Sequence, residues 1–262
     1  MRVRHFDADP LLTAVLSILE PTILAARTQP IESLGYDTRY ALDLSLHPYP
    51  MSQTLYYAAG VLGMTPPLTF QNPNDPGGLS FLHARTPGIV LGHAALSADV
   101  PPQAAAFLAA RHLAYFRPGF YVRHLVPSVT GLKTWLFAAI KLIAPQFPLS
   151  ADIEGPVKEN LDFISGALKG NARDNLASIV TKMLSGGGSL DLKKWVQAVD
   201  LSADRAGFLV AHDLEVAMEL VKAGGDEQSS LPVRERSKEL VLFAVSEEYF
   251  ELRKRLGIAI DS

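Results

Sequence analysis

Strand patterns in this chain are confined to one block, and that order limits which folds it can adopt. Between Asp43 and Asp75 no Asp, Glu, Lys or Arg occurs, while five prolines interrupt the stretch. Short alternating or β-rich runs at 40–46, 67–70, 79–84 and 89–92 predict strands separated by Pro- and Gly-rich turns. A doubly wound α/β fold needs strands that alternate with helices, so this order excludes it. We therefore predict an α+β fold, in which a small, mainly antiparallel sheet in the N-terminal half packs on a mostly helical C-terminal half.

Composition narrows the class of protein further. The 262 residues are 48% hydrophobic and 19% charged, which is typical of a chain that buries a core. Because there are no cysteines, disulfides, thiolate zinc sites and cysteine nucleophiles are excluded. The formal net charge of −3 gives no overall basic character, so we expect no nucleic-acid partner.

Two glycine-rich stretches suggest flexible joints, at 186–188 and 224–230. Neither leaves two halves that could each close a core, so we expect one main domain. The predicted organisation is an N-terminal helical segment over 1–35, an α+β domain over 36–222, and a joint with a C-terminal helix over 223–262. Long helices are predicted over 190–222 and 232–256, and a buried central helix over 102–116. On that central helix, Ala106, Leu108, Ala109, Leu113 and Ala114 are expected to contact neighbouring elements.

The apolar N-terminal stretch begins with a helix signal. Asp9 followed by Pro10 predicts a helix start, and a break is expected near Pro21. The acidic residues at 7 and 9 argue against a signal peptide, and the apolar run at 132–143 is too short and too charged to span a membrane. We expect no transmembrane span and a cytoplasmic location.

Two pairs of residues carry the most specific pattern. Arg111 and Tyr115 lie one helical turn apart, as do Asp200 and Asp204. In zinc peptidases this spacing places His-Glu-x-x-His on one helix and an acidic third ligand on a later helix. Each match is short, so two ordinary helices are the alternative interpretation.

The stretch over 79–116 resembles the gluzincin zinc metallopeptidases that include the CaaX-prenyl protease and the HtpX-type heat-shock protease. Gly88-Ile89-Val90-Leu91 is similar to the family's strand, and Leu108-Ala109-Ala110 precedes the motif position. The resemblance places Arg111 at the first His ligand, His112 at the general-base Glu, and Tyr115 at the second His. The run Asp200-Leu201-Ser202-Ala203-Asp204-Arg205 is similar to the family's Glu-x-x-Ala-Asp-Arg, so Asp200 stands for the third ligand and Asp204 for the carboxylate behind it.

The differences from that family imply a vestigial site. Arg111 cannot deprotonate and so cannot bind zinc, and Tyr115 is rarely a zinc ligand. No general-base Glu remains in the motif. The resemblance therefore implies a degenerate, catalytically inactive pseudopeptidase without metal or cofactor, acting as a protein-interaction or scaffold module in a cytoplasmic assembly. Its expected partners are other proteins, helical-repeat segments among them.

Three further expectations accompany this interpretation. An active hydrolase (peptidase) with a non-standard metal site is the alternative function, and a metal site of His93, His112 and His212 is conceivable. An ion pair is expected to replace the metal, with the Arg111 guanidinium within about 4 Å of Asp200 or Asp204 and the Tyr115 hydroxyl on the same carboxylates. The charges of the C-terminal helix, Arg236 among them, are expected to form a solvated face.

Overall fold

The structure is a computed structural model that describes residues 4–186, 190–225 and 229–257. The chain divides into two compact units, each built from separate stretches of sequence. The first comprises Met1–His5, Pro30–Phe116 and Gln197–Ser262, and the second comprises Phe6–Gln29 and Arg117–Val196. The predicted boundaries at 35/36 and 222/223 do not coincide with this division. Of the predicted joints, residues 187–188 and 226–228 lie outside the described residues.

The described helices follow the chain in this order: α1 (Pro10–Arg27), α2 (Pro50–Leu62), α3 (His93–Leu96), α4 (Pro102–Ala114), α5 (Val122–Leu125), α6 (Val129–Ile143), α7 (Ala151–Ala167), α8 (Asn171–Ser185), α9 (Leu192–Ala211), α10 (Leu214–Ala223), α11 (Val233–Ala244) and α12 (Glu247–Arg255). Two 3₁₀ turns cover Ile31–Leu34 and Thr38–Tyr40. The strands are β1 (Leu68–Asn72), β2 (Leu79–Leu82) and β3 (Gly88–Gly92). The broad α+β class is therefore confirmed.

The sheet of the first unit is mixed, which corrects the mainly antiparallel prediction. The strand order is β1-β3-β2, with β3 antiparallel to β2 and parallel to β1. Strand β3 lies in the middle and all five of its residues are buried, as its unbroken apolar sequence predicts. The short turn before Gly88 brings β3 back beside β2, and β1 then pairs with the remaining edge of β3.

The predicted strand at 40–46 does not form. Asp37 instead accepts a hydrogen bond from the backbone N–H of Arg39 and caps a 3₁₀ turn over Thr38–Tyr40. Only the N–H of Leu42 reaches the sheet, where it donates to the carbonyl of Thr69 at 2.7 Å. A local side-chain cap has overridden the alternating pattern here.

Two of the predicted helices are divided by local capping. The helix predicted over 190–222 ends at Ala211, because His212 takes a positive φ of 57° and Asp213 caps α10 by accepting from Val216. The helix predicted over 232–256 is divided in the same way, since Ser246 caps α12 by accepting from Tyr249. Each break therefore gives two shorter helices in place of one long helix.

In the second unit, α1 starts as predicted but continues through Pro21. Asp9 accepts from the N–H groups of Leu11 and Leu12. Pro21 is exposed, and burial of the helix face on either side of it offsets the backbone hydrogen bond that a proline removes. By length and composition alone, α1 is also the one described helix that could cross a membrane; this is weak evidence, because core helices pass the same test.

Helix α4 is the buried central helix of the first unit, with a face different from the predicted one. Ala109, Leu113 and Ala114 are buried as expected. Leu108, in contrast, is 37% exposed, while Phe107 is 1% exposed. The inward face is therefore rotated toward the aromatic residue, which fills more of the space between α4 and its neighbours.

Candidate functional site

Helices α4 and α9 approach each other closely in the first unit. At Gly207 of α9, an added Cβ would lie 2.7 Å from the ring of Phe107 and 2.9 Å from its carbonyl oxygen. Ala203 and Ala206 on α9 are fully buried as well. Small residues on α9 thus bring its acidic side chains within reach of α4.

The carboxylate of Asp204 is held between two arginines. Arg111 Nε of α4 donates to Asp204 Oδ1 at 2.8 Å. Arg236 of α11 donates through Nε to Oδ2 and through Nη2 to Oδ1, both at 2.8 Å, in a bidentate pair. The side chains of Asp204 and Arg236 are each 1% exposed, and that of Arg111 is 15% exposed. The ion pair expected for Arg111 is therefore present, with Asp204 as its acid.

The carboxylate of Asp200, one turn earlier on α9, accepts hydrogen bonds from neutral donors. The Tyr115 hydroxyl donates to Oδ1 at 3.0 Å. Oδ2 accepts from Ser229 Oγ at 2.9 Å, from the Ser230 backbone N–H at 2.9 Å and from Ser230 Oγ at 3.0 Å. Asp200 is 1% exposed, and hydrogen bonds of this kind offset the cost of burying a charge. The Tyr115 contact is the one expected from the sequence.

Burial and neighbouring charges fix the protonation of the two α4 side chains. Burial raises the pKa of the Tyr115 phenol well above its usual range; Arg111 acts to lower that pKa, and the carboxylates of Asp200 and Asp204 act to raise it. Burial alone would lower the pKa of Arg111, but Tyr115, Asp204 and Asp200 together raise it above its usual range. Both groups therefore act as hydrogen-bond donors at every ordinary pH.

His112, which the sequence resemblance places at a general-base position, lies against the sheet. Its ring stacks on Phe81 of β2, with 3.7 Å between ring centroids and an interplanar angle of 15°. The residue is 8% exposed. Phe81 also meets the edge of Tyr115 at 5.7 Å, so the stack supports the side of α4 that carries the site.

Arg236, Ser229 and Ser230 were not predicted as site residues. Arg236 was expected on a solvated helix face, which is wrong, because it is among the most buried side chains of the protein. The signal was its spacing: Arg236, Leu240 and Phe243 follow at i, i+4 and i+7, so the arginine continues the buried face of α11. The two serines gave no comparable signal.

A second set of charges holds α11 and α12 to α9. Arg205, next to Asp204, forms an ion pair with Glu239 of α11 and a longer one, 3.3 Å, with Glu248 of α12. Its guanidinium also lies 4.6 Å from the ring centroid of Phe243. Burial acts to raise the pKa of Glu239, but hydrogen bonds from His5 and Arg205, together with electrostatic attraction to these residues, lower that pKa.

The arrangement is suited to holding structure together. Within residues 4–186, 190–225 and 229–257, no group of three His, Asp or Glu side chains could hold a metal ion, and His93, His112 and His212 are not brought together. Together, Asp200 and Asp204 accept hydrogen bonds from three other segments of the chain: the C-terminal end of α4, residues 229–230 and α11. Neither an arginine nor a protonated phenol can supply the ligand that a metal would need.

No protein-family model matches this chain. Neither a curated protein nor a solved structure matches it. The resemblance to gluzincins therefore stays a prediction from the sequence.

Proposed function

We propose that this chain is a catalytically inactive, gluzincin-like module that serves protein interaction or scaffolding in a cytoplasmic assembly. The observation that carries the proposal is the pairing of α4 with α9: Arg111 contacts Asp204 and Tyr115 contacts Asp200. In the resembled family, a metal joins the residues at positions 111, 115 and 200. Here, direct contacts between side chains connect the same two helices.

The side chains that stand at the expected ligand positions support loss of catalytic activity and not a change to a different activity. A metal joins two helices of such a fold and contributes to its stability. Once the ligands are lost, an acid at position 200 or 204 would be buried without compensation, which is costly. Arg111, Arg236, Tyr115 and the 229–230 segment supply that compensation.

An exposed apolar surface on the C-terminal helices supports the interaction role. Val241, Leu242, Val245 and Phe250 are 42%, 54%, 71% and 58% exposed, respectively. The C-terminal helices that carry these side chains are held to α9 by the ion pairs of Arg236 and Arg205. A helix from a helical-repeat partner could bury these side chains on a surface that is already rigid.

Metal content separates this proposal from the alternative, an active hydrolase with a non-standard metal site. Protein purified without chelator and analysed by mass spectrometry for metals is expected to contain substoichiometric zinc and to leave a quenched peptide substrate intact. One zinc per chain, together with peptide cleavage that a chelator abolishes, would establish the alternative.

Rebuilding the ligands tests the gluzincin-like geometry directly. The variant carries Arg111→His, His112→Glu, Tyr115→His and Asp200→Glu, and is expected to bind one zinc per chain if α4 and α9 keep the family's spacing. The matched control carries the same α4 changes with Asp200→Ala and should bind zinc far more weakly. A rebuilt variant that is folded by circular dichroism yet binds no zinc contradicts the metallopeptidase-like part of the proposal.

The interaction role has its own test. Leu242→Glu with Val245→Glu should abolish co-purification of the native partner, while Leu46→Glu, at a side chain that is 80% exposed elsewhere in the first unit, should preserve it. Equal retention of the partner by both variants would remove the α11–α12 surface from the proposal.

A further inference from the structure

The second unit contains an apolar pocket. None of the residues that line it belongs to the carboxylate cluster, which is Asp200, Asp204 and their hydrogen-bond donors. The volume of the pocket is about 580 Å³, within the range of small-molecule sites. Leu136, Phe137 and Ile140 of α6 line one part of it, and Met183 of α8 and Leu192 of α9 line another. Phe147 also lines the pocket and packs edge-on against Phe137, with 5.4 Å between ring centroids.

Two exposed lysines line the same pocket. Lys133 Nζ lies 5.2 Å from the ring centroid of Phe137, so its ammonium group stands directly over an apolar wall. Lys193, at the start of α9, is the second. A cation beside an apolar cavity attracts a molecule that carries an anionic group on an apolar body.

The acid among the lining residues is already engaged. Asp191 lines the pocket, and its Oδ1 accepts a hydrogen bond from the backbone N–H of Lys194, which caps α9. Asp152 interacts with Lys133, but Asp152 is fully exposed and its own pKa is lowered mainly by Ser150. The lining residues therefore carry a net positive charge, with two lysines and one capping aspartate, while the exposed Asp152 lies outside the lining.

From these features we infer that the pocket binds a small amphipathic carboxylate with an aliphatic chain. The chain lies against Leu136, Ile140 and Met183, and the carboxylate is held by Lys133 and Lys193. This site is independent of the carboxylate cluster on α9 and of the interaction surface on α11 and α12.

Decanoate is a suitable probe when it is titrated below its micelle concentration and followed by isothermal titration calorimetry. One decanoate per chain is expected. Decanol should bind roughly tenfold more weakly, because it keeps the chain but loses the pairing with the lysines, and decyltrimethylammonium should bind more weakly still. Equal binding of the anion and the cation would overturn the inference.

Two variants separate the charged end from the apolar end. Lys133→Gln with Lys193→Gln should reduce decanoate affinity about tenfold, to the level of decanol, and leave decanol affinity unchanged. Lys169→Gln, at an exposed lysine of the same unit that does not line the pocket, should change neither affinity.

Leu184→Trp tests the apolar part, since Leu184 lines the pocket and is 41% exposed, so a larger side chain there can be accommodated without disturbing the core. It should weaken both decanoate and decanol. No effect of Leu184→Trp on either ligand, or binding of anionic vesicles without binding of monomeric decanoate, contradicts the inference. The latter result would instead indicate a membrane surface.

Discussion

Arg111 Nε lies 2.8 Å from Asp204 Oδ1, although 93 residues separate the two in sequence. Arg236 approaches the same carboxylate from α11 with two hydrogen bonds. One buried acid is therefore shared by two arginines. The two ion pairs differ in geometry and burial, so their contributions to the free energy of unfolding should differ measurably.

Arg236→Ala should destabilise the protein more than Arg111→Ala. Removing Arg236 takes away a bidentate, fully buried partner, and the expected loss is about 3–5 kcal/mol. Removing Arg111 leaves the bidentate partner in place, so the expected loss is about 1–3 kcal/mol. Urea unfolding measures both values, and Arg39→Ala is the control, because its pair with Asp37 is exposed and should contribute little to stability. The reverse order of the two arginines would show that Arg111 is the principal partner of Asp204.

Leu113→Ala and Leu108→Ala test the face of α4 that points inward. Leu113 is fully buried, so truncation should cost about 2–5 kcal/mol. Leu108 is 37% exposed, and the same change should cost about 0.5 kcal/mol or less. Chemical denaturation of the pair gives the comparison, and similar losses at both positions would contradict the observed rotation of the helix.

Gly207→Ala should destabilise the contact between α4 and α9. An added Cβ would lie 2.7 Å from the Phe107 ring and 2.9 Å from its carbonyl oxygen, and overpacking of this kind costs about 1–3 kcal/mol. Gly60→Ala is the matched control, because Gly60 lies inside α2 with nothing within 4 Å of the added atom. It should stabilise the helix by about 0.4–1 kcal/mol. Thermal unfolding of the two variants should therefore shift in opposite directions.

Glu20 should make stability depend on pH in the weakly acidic range. Burial raises its pKa from 4.5 to about 7, although the backbone N–H of Gly119 donates to the carboxylate at 2.8 Å and opposes the shift. Since the folded state holds the proton more tightly than the unfolded state, the stabilisation is complete below pH 4.5 and is lost as pH rises through about 7. The loss is at most about 3 kcal/mol.

Glu20→Gln keeps an acceptor for Gly119 and removes the titration. Its free energy of unfolding should therefore vary less between pH 4.5 and 7 than that of the unchanged protein. Glu159→Gln, at an exposed position in the same unit, should leave the pH profile as it was. Identical profiles for the Glu20 variant and the unchanged protein would show that this carboxyl does not titrate in the proposed range.

Local signals in the sequence were sufficient for several elements and for part of the candidate site. Asp9 with Pro10 predicted the start of α1, and the apolar run at 89–92 predicted a strand, which the structure shows to be buried and central. The one-turn spacing of Asp200 and Asp204 placed both acids on one face of a helix. Side-chain capping was underestimated, since Asp37 caps a 3₁₀ turn at the start of a predicted strand that does not form, and Asp213 caps a separate helix within a predicted longer one.

The sequence by itself determined the order of strands and helices, the absence of thiol chemistry and the residues on α4 and α9 that could meet. Only the tertiary structure decided that Asp204 pairs with Arg111 and Arg236 together, that Asp200 is held by Tyr115 and the 229–230 segment, and that β1 runs parallel to β3. The physical reason is the range of these contacts. Helix caps and periodicity depend on residues a few positions apart, whereas Arg236 and Arg111 lie 32 and 93 residues from Asp204. Such pairs form because close packing of α4, α9 and α11 leaves a buried carboxylate that must be neutralised, and no local pattern encodes that requirement.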